Sequence, residues 1–228
     1  MTDPAASAEA PSLADRMAAL TNRAPPDIIR VVVAEIEKLA DAGVGANAPR
    51  IGERVPDFTL RDARGGMVLL TDELVRGPAV VTFYRGGWCP YCNLQLRAYQ
   101  QVLPRIEGLG ASVIAISPQT PTATLSTAEN AGLTFAVVAD PGNRVARSYG
   151  LVFEVPPRLD ELQRGFGVDL PGANGDTSNE LPVTATFIVA RDGRVAFRHL
   201  DIDWRRRLEP ADLLRRLEQL QASREVRG

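Results

Sequence analysis

The sequence predicts an α/β fold in which a central mixed sheet is flanked by helices and preceded by a helical extension. Three observations carry the prediction. Short apolar runs alternate with amphipathic stretches across residues 79–149, the strand–helix–strand rhythm of a parallel sheet with crossover helices. Turn-rich linkers at 62–66 and 191–193 join further strand pairs as hairpins, which adds antiparallel members. A chain of 228 residues, 45% hydrophobic and 24% charged, is large enough to bury one substantial core.

Residues 1–12, rich in Ala, Ser, Pro and acid, read as a disordered tail. Over 13–48 a helical arm follows. Leu13, Met17 and Leu20, then Ile29, Val32 or Val33, Ile36 and Leu39, recur at helical spacing, and Pro25-Pro26 separates the two helices. The arm packs on the core or on the second subunit of a homodimer, and the spacing leaves both open. A single main domain is expected over 50–224. Residues 58–61 and 67–70 form a hairpin, 71–74 open a short helix, and Gly77-Pro78 ends it before a buried strand at 79–84. Leu96, Tyr99, Leu103 and Ile106 trace a helix running to Gly108, which Pro104 should kink or shorten. Strands at 112–117 and 135–139 alternate with helices at 121–131 and 143–149. Residues 151–182, punctuated by Pro156-Pro157, Pro171-Gly172 and Asn174-Gly175-Asp176, read as an insertion with one short helix around Leu159. Its length suits a lid or an interface as well as an idle loop. Strands at 184–190 and 194–199 follow, and Pro210 starts a last helix with Leu213, Leu214, Leu217 and Leu220 facing inward.

Composition excludes several classes of function. A net charge of −2 gives no electrostatic basis for binding nucleic acid or an anionic membrane. Arg205-Arg206-Arg207, set among Asp201, Asp203 and Glu209, reads as a solvated face. No apolar run approaches the ~20 residues that span a bilayer, and no secretory signal is visible, so a cytoplasmic location is expected. The chain has two cysteines and one histidine, which removes hydrolase arrangements that need an imidazole base. Structural zinc wants four ligands, and Cys89, Cys92 and His199 supply three. No metal and no bound cofactor are therefore expected, a zinc site shared between subunits being the weaker alternative.

The chemistry concentrates in Phe83-Tyr84-Arg85-Gly86-Gly87-Trp88-Cys89-Pro90-Tyr91-Cys92. Pro90 suits the first helical position and pushes Cys89 out of helical geometry, so Cys89 becomes the N-cap and Cys92 the third helical residue. Both sulfurs then lie at the positive end of the helix dipole, which favours thiolate. Arg85 either adds a second positive charge there or is simply exposed. Trp88 is expected to pack beside the site, and Gly86-Gly87 either admit a close backbone approach or merely turn the chain. Two thiols so spaced form a redox pair that closes to a disulfide and reopens.

These residues carry a specific resemblance. Trp88-Cys89-Pro90-Tyr91-Cys92 after an apolar strand resembles the active site of the thioredoxin superfamily. Over roughly residues 50–220 the chain is similar to the peroxiredoxin (alkyl hydroperoxide reductase/thiol-specific antioxidant) family, in the subgroup with a Cys-x-x-Cys. The matching phrases are 55–60, Phe83-Tyr84, 138–142, 148–151 and 186–189. The resemblance implies a thioredoxin-like fold and a thiol peroxidase. On the peroxiredoxin pattern the peroxidatic position falls on Cys92, and Gln95 stands where an acid is often found. Arg85 stands where that family has its proline, Cys89 where it has a Thr or Ser, and Thr184 where it has its arginine. On the thioredoxin pattern Cys89 is the nucleophile and Cys92 resolves, with Phe83 at the buried-acid position and Thr184 at the cis-proline position.

Three readings follow. In the leading one Cys92 attacks a hydroperoxide and Cys89 condenses with the sulfenic acid, an external thiol (glutathione or a thioredoxin-like protein) then reducing the pair. In the second Cys89 attacks a substrate disulfide and Cys92 resolves. In the third the pair is a redox sensor that controls binding through 151–182 or the N-terminal arm.

Overall fold

The computed structural model describes residues 11–225. The expected tail therefore lies, apart from its last two residues, outside the described residues. In chain order the elements are α1 (Leu13–Thr21), α2 (Pro26–Asp41), β1 (Thr59–Asp62), β2 (Met67–Leu69), α3 (Leu70–Arg76), β3 (Ala79–Phe83), α4 (Pro90–Gly108), β4 (Ser112–Ser117), α5 (Pro121–Ala131), β5 (Ala136–Ala139), α6 (Arg144–Ser148), β6 (Val152–Glu154), α7 (Pro157–Gly165), α8 (Leu170–Asn174), β7 (Glu180–Pro182), β8 (Thr184–Val189), β9 (Val195–Asp201) and α9 (Pro210–Glu225).

Seven strands form one sheet in the order β2-β1-β5-β4-β3-β8-β9. β3, β4 and β5 run parallel, while β8, β9, β1 and β2 join as antiparallel partners. The strand period of two divides the core by face. Val80, Val113, Val137 and Ile188 point to one side, where Leu96, Tyr99 and Ile106 of α4 and Leu213, Leu214 and Leu217 of α9 cover them. Val81, Phe83, Ile114, Ile116, Val138 and Phe187 point to the other, under Leu70 and Leu74 of α3 and Ala146 of α6. On that second face the rings of Phe83, Tyr149 and Phe187 pack edge to face or tilted, with centroids 5.0 to 6.3 Å apart. Three of the phrases that carry the family resemblance thus meet in one aromatic cluster, which fixes the end of β3.

The N-terminal arm packs on its own chain. Ser12 and Asp15 form a capping box at the start of α1. The free N–H groups of Leu13 and Ala14 donate to the Glu209 carboxylate at 3.1 and 2.6 Å, an acid at a helix N-terminus. Leu13 and Met17 pack on Ala98 of α4 together with Tyr91 and Leu94, and Thr21 Oγ1 lies 3.0 Å from the Tyr91 hydroxyl. α2 buries Ile36 and Leu39 in the core.

α4 runs to Gly108 as the spacing predicts, and Pro104 does not shorten it. The proline removes one N–H, but Leu103 and Ile106 on either side are buried against the sheet and hold the last turn in place. The excursion over 151–182 is more ordered than one short helix. β6 and β7 pair antiparallel to close it, and α7 and α8 lie between them. Asp169 caps α8, its carboxylate accepting from Gly172 N at 3.0 Å.

Candidate active site

β3 delivers the Cys-x-x-Cys segment to the carboxyl edge of the sheet, where α/β folds place their sites. Tyr84 N still donates to Ile116 O at 2.9 Å, so the chain leaves the sheet only at Arg85. Gly86 has φ +149°, and a Cβ there would lie 2.4 Å from Trp88 Nε1. A Cβ at Gly87 would lie 2.2 Å from Thr127 Oγ1, so α5 itself demands a glycine at that point. Gln119, from the loop after β4, clasps the turn: its Oε1 accepts from Gly87 N at 2.8 Å and from Thr127 Oγ1 at 3.2 Å. Asn93 Nδ2 donates to Gly87 O at 2.7 Å from the far side.

Cys89 is the N-cap of α4, in extended geometry, and Pro90 is the first helical residue. Both thiols are free and closed from solvent, Cys89 at 1% exposure and Cys92 at 0%. Arg85 is not the exposed arginine of the alternative reading. It is 4% exposed, and its guanidinium lies between the rings of Trp88 and Trp204, 4.9 and 4.3 Å from their centroids. Thr184 is buried at the start of β8, its hydroxyl donating to Asp201 O at 3.4 Å in β9. Its bond is to the neighbouring strand rather than to a sulfur.

The segment after β9 overturns the reading of Arg205-Arg206-Arg207 as a solvated face. Arg206 is exposed. Arg205 folds back on Asp203, donating through Nε and Nη2 at 2.8 Å each. Arg207 turns inward, and its Nη2 donates to Cys92 Sγ at 3.4 Å. Its Nε and Nη1 are buried without a hydrogen-bond partner among the described residues. Tyr99 OH donates to the Leu208 carbonyl at 3.3 Å and receives Gln95 Nε2 at 3.1 Å, which ties the Arg207 segment to α4. Sequence reasoning missed Trp204 and Arg207. Asp201 and Asp203 can pair with two arginines of the three, and a tryptophan within a polar run is a packing signal.

The electrostatics separate the two thiols. Burial opposes charge on Cys89, but the hydrogen bond from Cys92 and the charges of Arg85 and Arg207 outweigh it, lowering its pKa to about 5. Burial pushes the Cys92 thiol well up, and its hydrogen bond and proximity to Cys89 push it further. The arrangement thus favours the thiolate on Cys89 and the proton on Cys92. Burial also disfavours the charge of Arg85, and the two sulfurs oppose that effect. Among the described residues neither Arg85 nor Arg207 enters an ion pair with a carboxylate. The two sulfurs are the acidic groups that act on Arg85, and Cys92 Sγ is the one that Arg207 touches.

Comparison with known proteins places this geometry. The model of the AhpC/TSA family matches residues 51–198, more than half of the chain. The chain belongs to the AhpC/TSA family. A Mycobacterium tuberculosis protein named as a peroxiredoxin is 29% identical over 145 residues, 63% of this chain and 80% of that one. The chloroplastic peroxiredoxin Q of Gentiana triflora is 34% identical over 100 residues, 44% of this chain and 46% of the relative. The thiol-disulfide oxidoreductase ResA of Geobacillus thermodenitrificans is 31% identical over 105 residues, 46% and 59%. Among solved structures, the peroxidoxin BcpB of Mycobacterium tuberculosis superposes with TM-score 0.59 at 19% identity, over 75% of this chain and 97% of that one. PrxQ of Xylella fastidiosa gives 0.58 at 17%, over 77% and 97%. The fold is thioredoxin-like, and the chain is a peroxiredoxin-like thiol oxidoreductase of the thiol peroxidase class. The family's matched region begins after the N-terminal arm and ends before Trp204 and Arg207. Among the described residues no cluster of metal ligands occurs, and no helix is long and apolar enough to cross a membrane.

Proposed function

We propose that the chain reduces hydroperoxides with Cys89 as the attacking thiolate and Cys92 as the resolving thiol, the reverse of the order the peroxiredoxin pattern suggests. One observation carries this order. Two guanidiniums without carboxylate partners among the described residues act on the pair, and together with the N-cap position of Cys89 they favour the thiolate there. Thiolate is the nucleophile toward peroxide, so the ionised member attacks first.

The cycle balances with this chain's own groups. Cys89 thiolate attacks the terminal oxygen of ROOH, the O–O bond breaks, and Cys89 becomes sulfenic acid. The departing alkoxide takes the Cys92 proton and leaves as ROH. Cys92 thiolate, met by Arg207, then attacks the Cys89 sulfur and expels hydroxide, which closes the disulfide. Arg207 takes the electrostatic role that Thr184 cannot fill. An external thiol, glutathione or a thioredoxin-like protein, returns two electrons. Mass spectrometry after one equivalent of peroxide is expected to find a Cys89–Cys92 disulfide formed far faster than free cysteine oxidises. Consumption of peroxide no faster than by free cysteine would refute the peroxidase.

The same thiolate supports a second reading, a disulfide reductase in which Cys89 attacks and Cys92 resolves. The low pKa of the N-cap thiol beside a protonated partner favours it. A Cys92→Ser variant is then expected to trap mixed disulfides at Cys89, and trapping through Cys92 in Cys89→Ser instead would refute that assignment.

A further inference from the structure

α1, the turn after it, and the first turns of α4 line a groove of about 400 Å³ that includes Pro90, the residue after Cys89. Arg16, Leu20, Arg23, Pro90, Asn93 and Arg97 line it, and no carboxylate does. Among the described residues none of the three arginines enters an ion pair. Arg16 Nε is buried with no hydrogen-bond partner among the described residues. Arg97 spends one donor on the Asn130 carbonyl at 3.1 Å, across to α5. A second cleft of about 300 Å³ shares Asn93 and Arg97 with the first and reaches Gly87 and Thr127. Gly87 lines the second cleft and Pro90 the first, on either side of Cys89 in the chain, and Cys89 itself is 1% exposed. Three uncompensated positive charges repel one another, and in a chain of net charge −2 their concentration at one place is local.

We propose that this groove binds the reducing co-substrate, a small thiol bearing two or more carboxylates, and presents it to the oxidised Cys89–Cys92 pair. The inference rests on the thiol–disulfide reading above and names the reductant that reading leaves open. Charge selects the reductant over the oxidant, because a fatty-acid hydroperoxide carries one carboxylate whereas the groove offers three guanidiniums. Shape selects a small molecule, since a folded protein partner docks through a patch of roughly 800 Å², not through a narrow cleft. The small thiolate attacks the Cys89 sulfur, the protein S–S bond breaks, and Cys92 leaves with its charge met by Arg207. A second molecule attacks the mixed disulfide at the small thiol's sulfur and releases Cys89 as thiolate. Two thiols become one disulfide, one proton goes to Cys92, and the other goes to solvent.

The test uses the full-length protein oxidised with diamide, so that it does not depend on the peroxide step. Tryptophan fluorescence in a stopped flow follows reduction by glutathione, mercaptoethanol and cysteamine, each rate being normalised to thiolate concentration. Glutathione is expected to react about tenfold faster than cysteamine, with the preference fading at high salt. In Arg16→Gln/Arg23→Gln the glutathione-to-mercaptoethanol ratio should fall about tenfold. Arg97→Gln provides the same readout if the double variant folds poorly. Equal normalised rates for the three thiols in the wild-type protein, or a ratio unmoved in folded variants, would overturn the proposal. So would a charge preference confined to oxidation by a fatty-acid hydroperoxide. A disulfide that forms with diamide but not with peroxide refutes the peroxidase reading alone, whereas no disulfide with either oxidant refutes both.

Discussion

Arg207→Met removes the guanidinium 3.4 Å from Cys92 Sγ and keeps most of the side chain's apolar stem. With the pKa of Cys89 lowered to about 5, thiolate exceeds thiol about a hundredfold at pH 7. Arg207 hydrogen-bonds Cys92 and acts on Cys89 through its charge. A unit charge about 7 Å away in an effective dielectric near 20 contributes roughly 2 kcal/mol, or about 1.7 pK units. Partial exposure of Arg207 screens this to about one unit. The variant's ionisation midpoint should therefore rise by about one unit. The sign follows from a depressed acid: thiolate is present above the midpoint and is lost as pH falls through it. Near pH 5 the variant should lose about fivefold in thiolate reactivity, and at pH 8 the two proteins should match. Iodoacetamide alkylation against pH reads the midpoint, and peptide mass spectrometry names the modified sulfur. An unmoved midpoint, or alkylation of wild-type Cys92 before Cys89, would refute the electrostatic reasoning.

Trp204→Ala should cost about 3 kcal/mol in denaturant unfolding and raise the Cys89 midpoint, because Arg85 loses one wall of its aromatic sandwich; Trp204→Phe should recover most of both. Gly87→Ala places a Cβ 2.2 Å from Thr127 Oγ1 and should cost about 1–3 kcal/mol, with Thr127→Ala as the second-site rescue in the same unfolding assay. Asp140→Ala removes the carboxylate that accepts from Val145 N at 3.0 Å and Ala146 N at 2.9 Å, and thermal melting should register a loss of about 1–3 kcal/mol.

Much of the fold was legible because period and punctuation agreed. Apolar runs at β3, β4 and β8, glycine and proline at the element ends, and helical spacing in α4 and α9 all pointed to the same layers. The N-cap address of Cys89 was legible for a local reason, since Pro90 fixes the helix start. What escaped depended on distance along the chain. Arg207 reaches Cys92 from 115 residues away, and Trp204 meets Arg85 only because β9 lies two strands from β3. No periodicity reports such a contact. The charge triplet was misread because its neighbouring acids could neutralise it on average, whereas the geometry gives Asp203 to Arg205 and leaves Arg207 for the sulfur. Pro104 does not shorten α4 because tertiary packing outweighs one missing backbone bond.

The order of the two sulfurs is the centre of the account, and stopped-flow oxidation of the reduced protein by hydrogen peroxide tests it directly. Wild type, Cys89→Ser and Cys92→Ser are compared near neutral pH, with a sulfenic-acid probe added to the products. Cys92→Ser should keep the fast first step and stop at a Cys89 sulfenic acid, while Cys89→Ser should lose that step. A fast step that survives in Cys89→Ser and vanishes in Cys92→Ser would contradict the account.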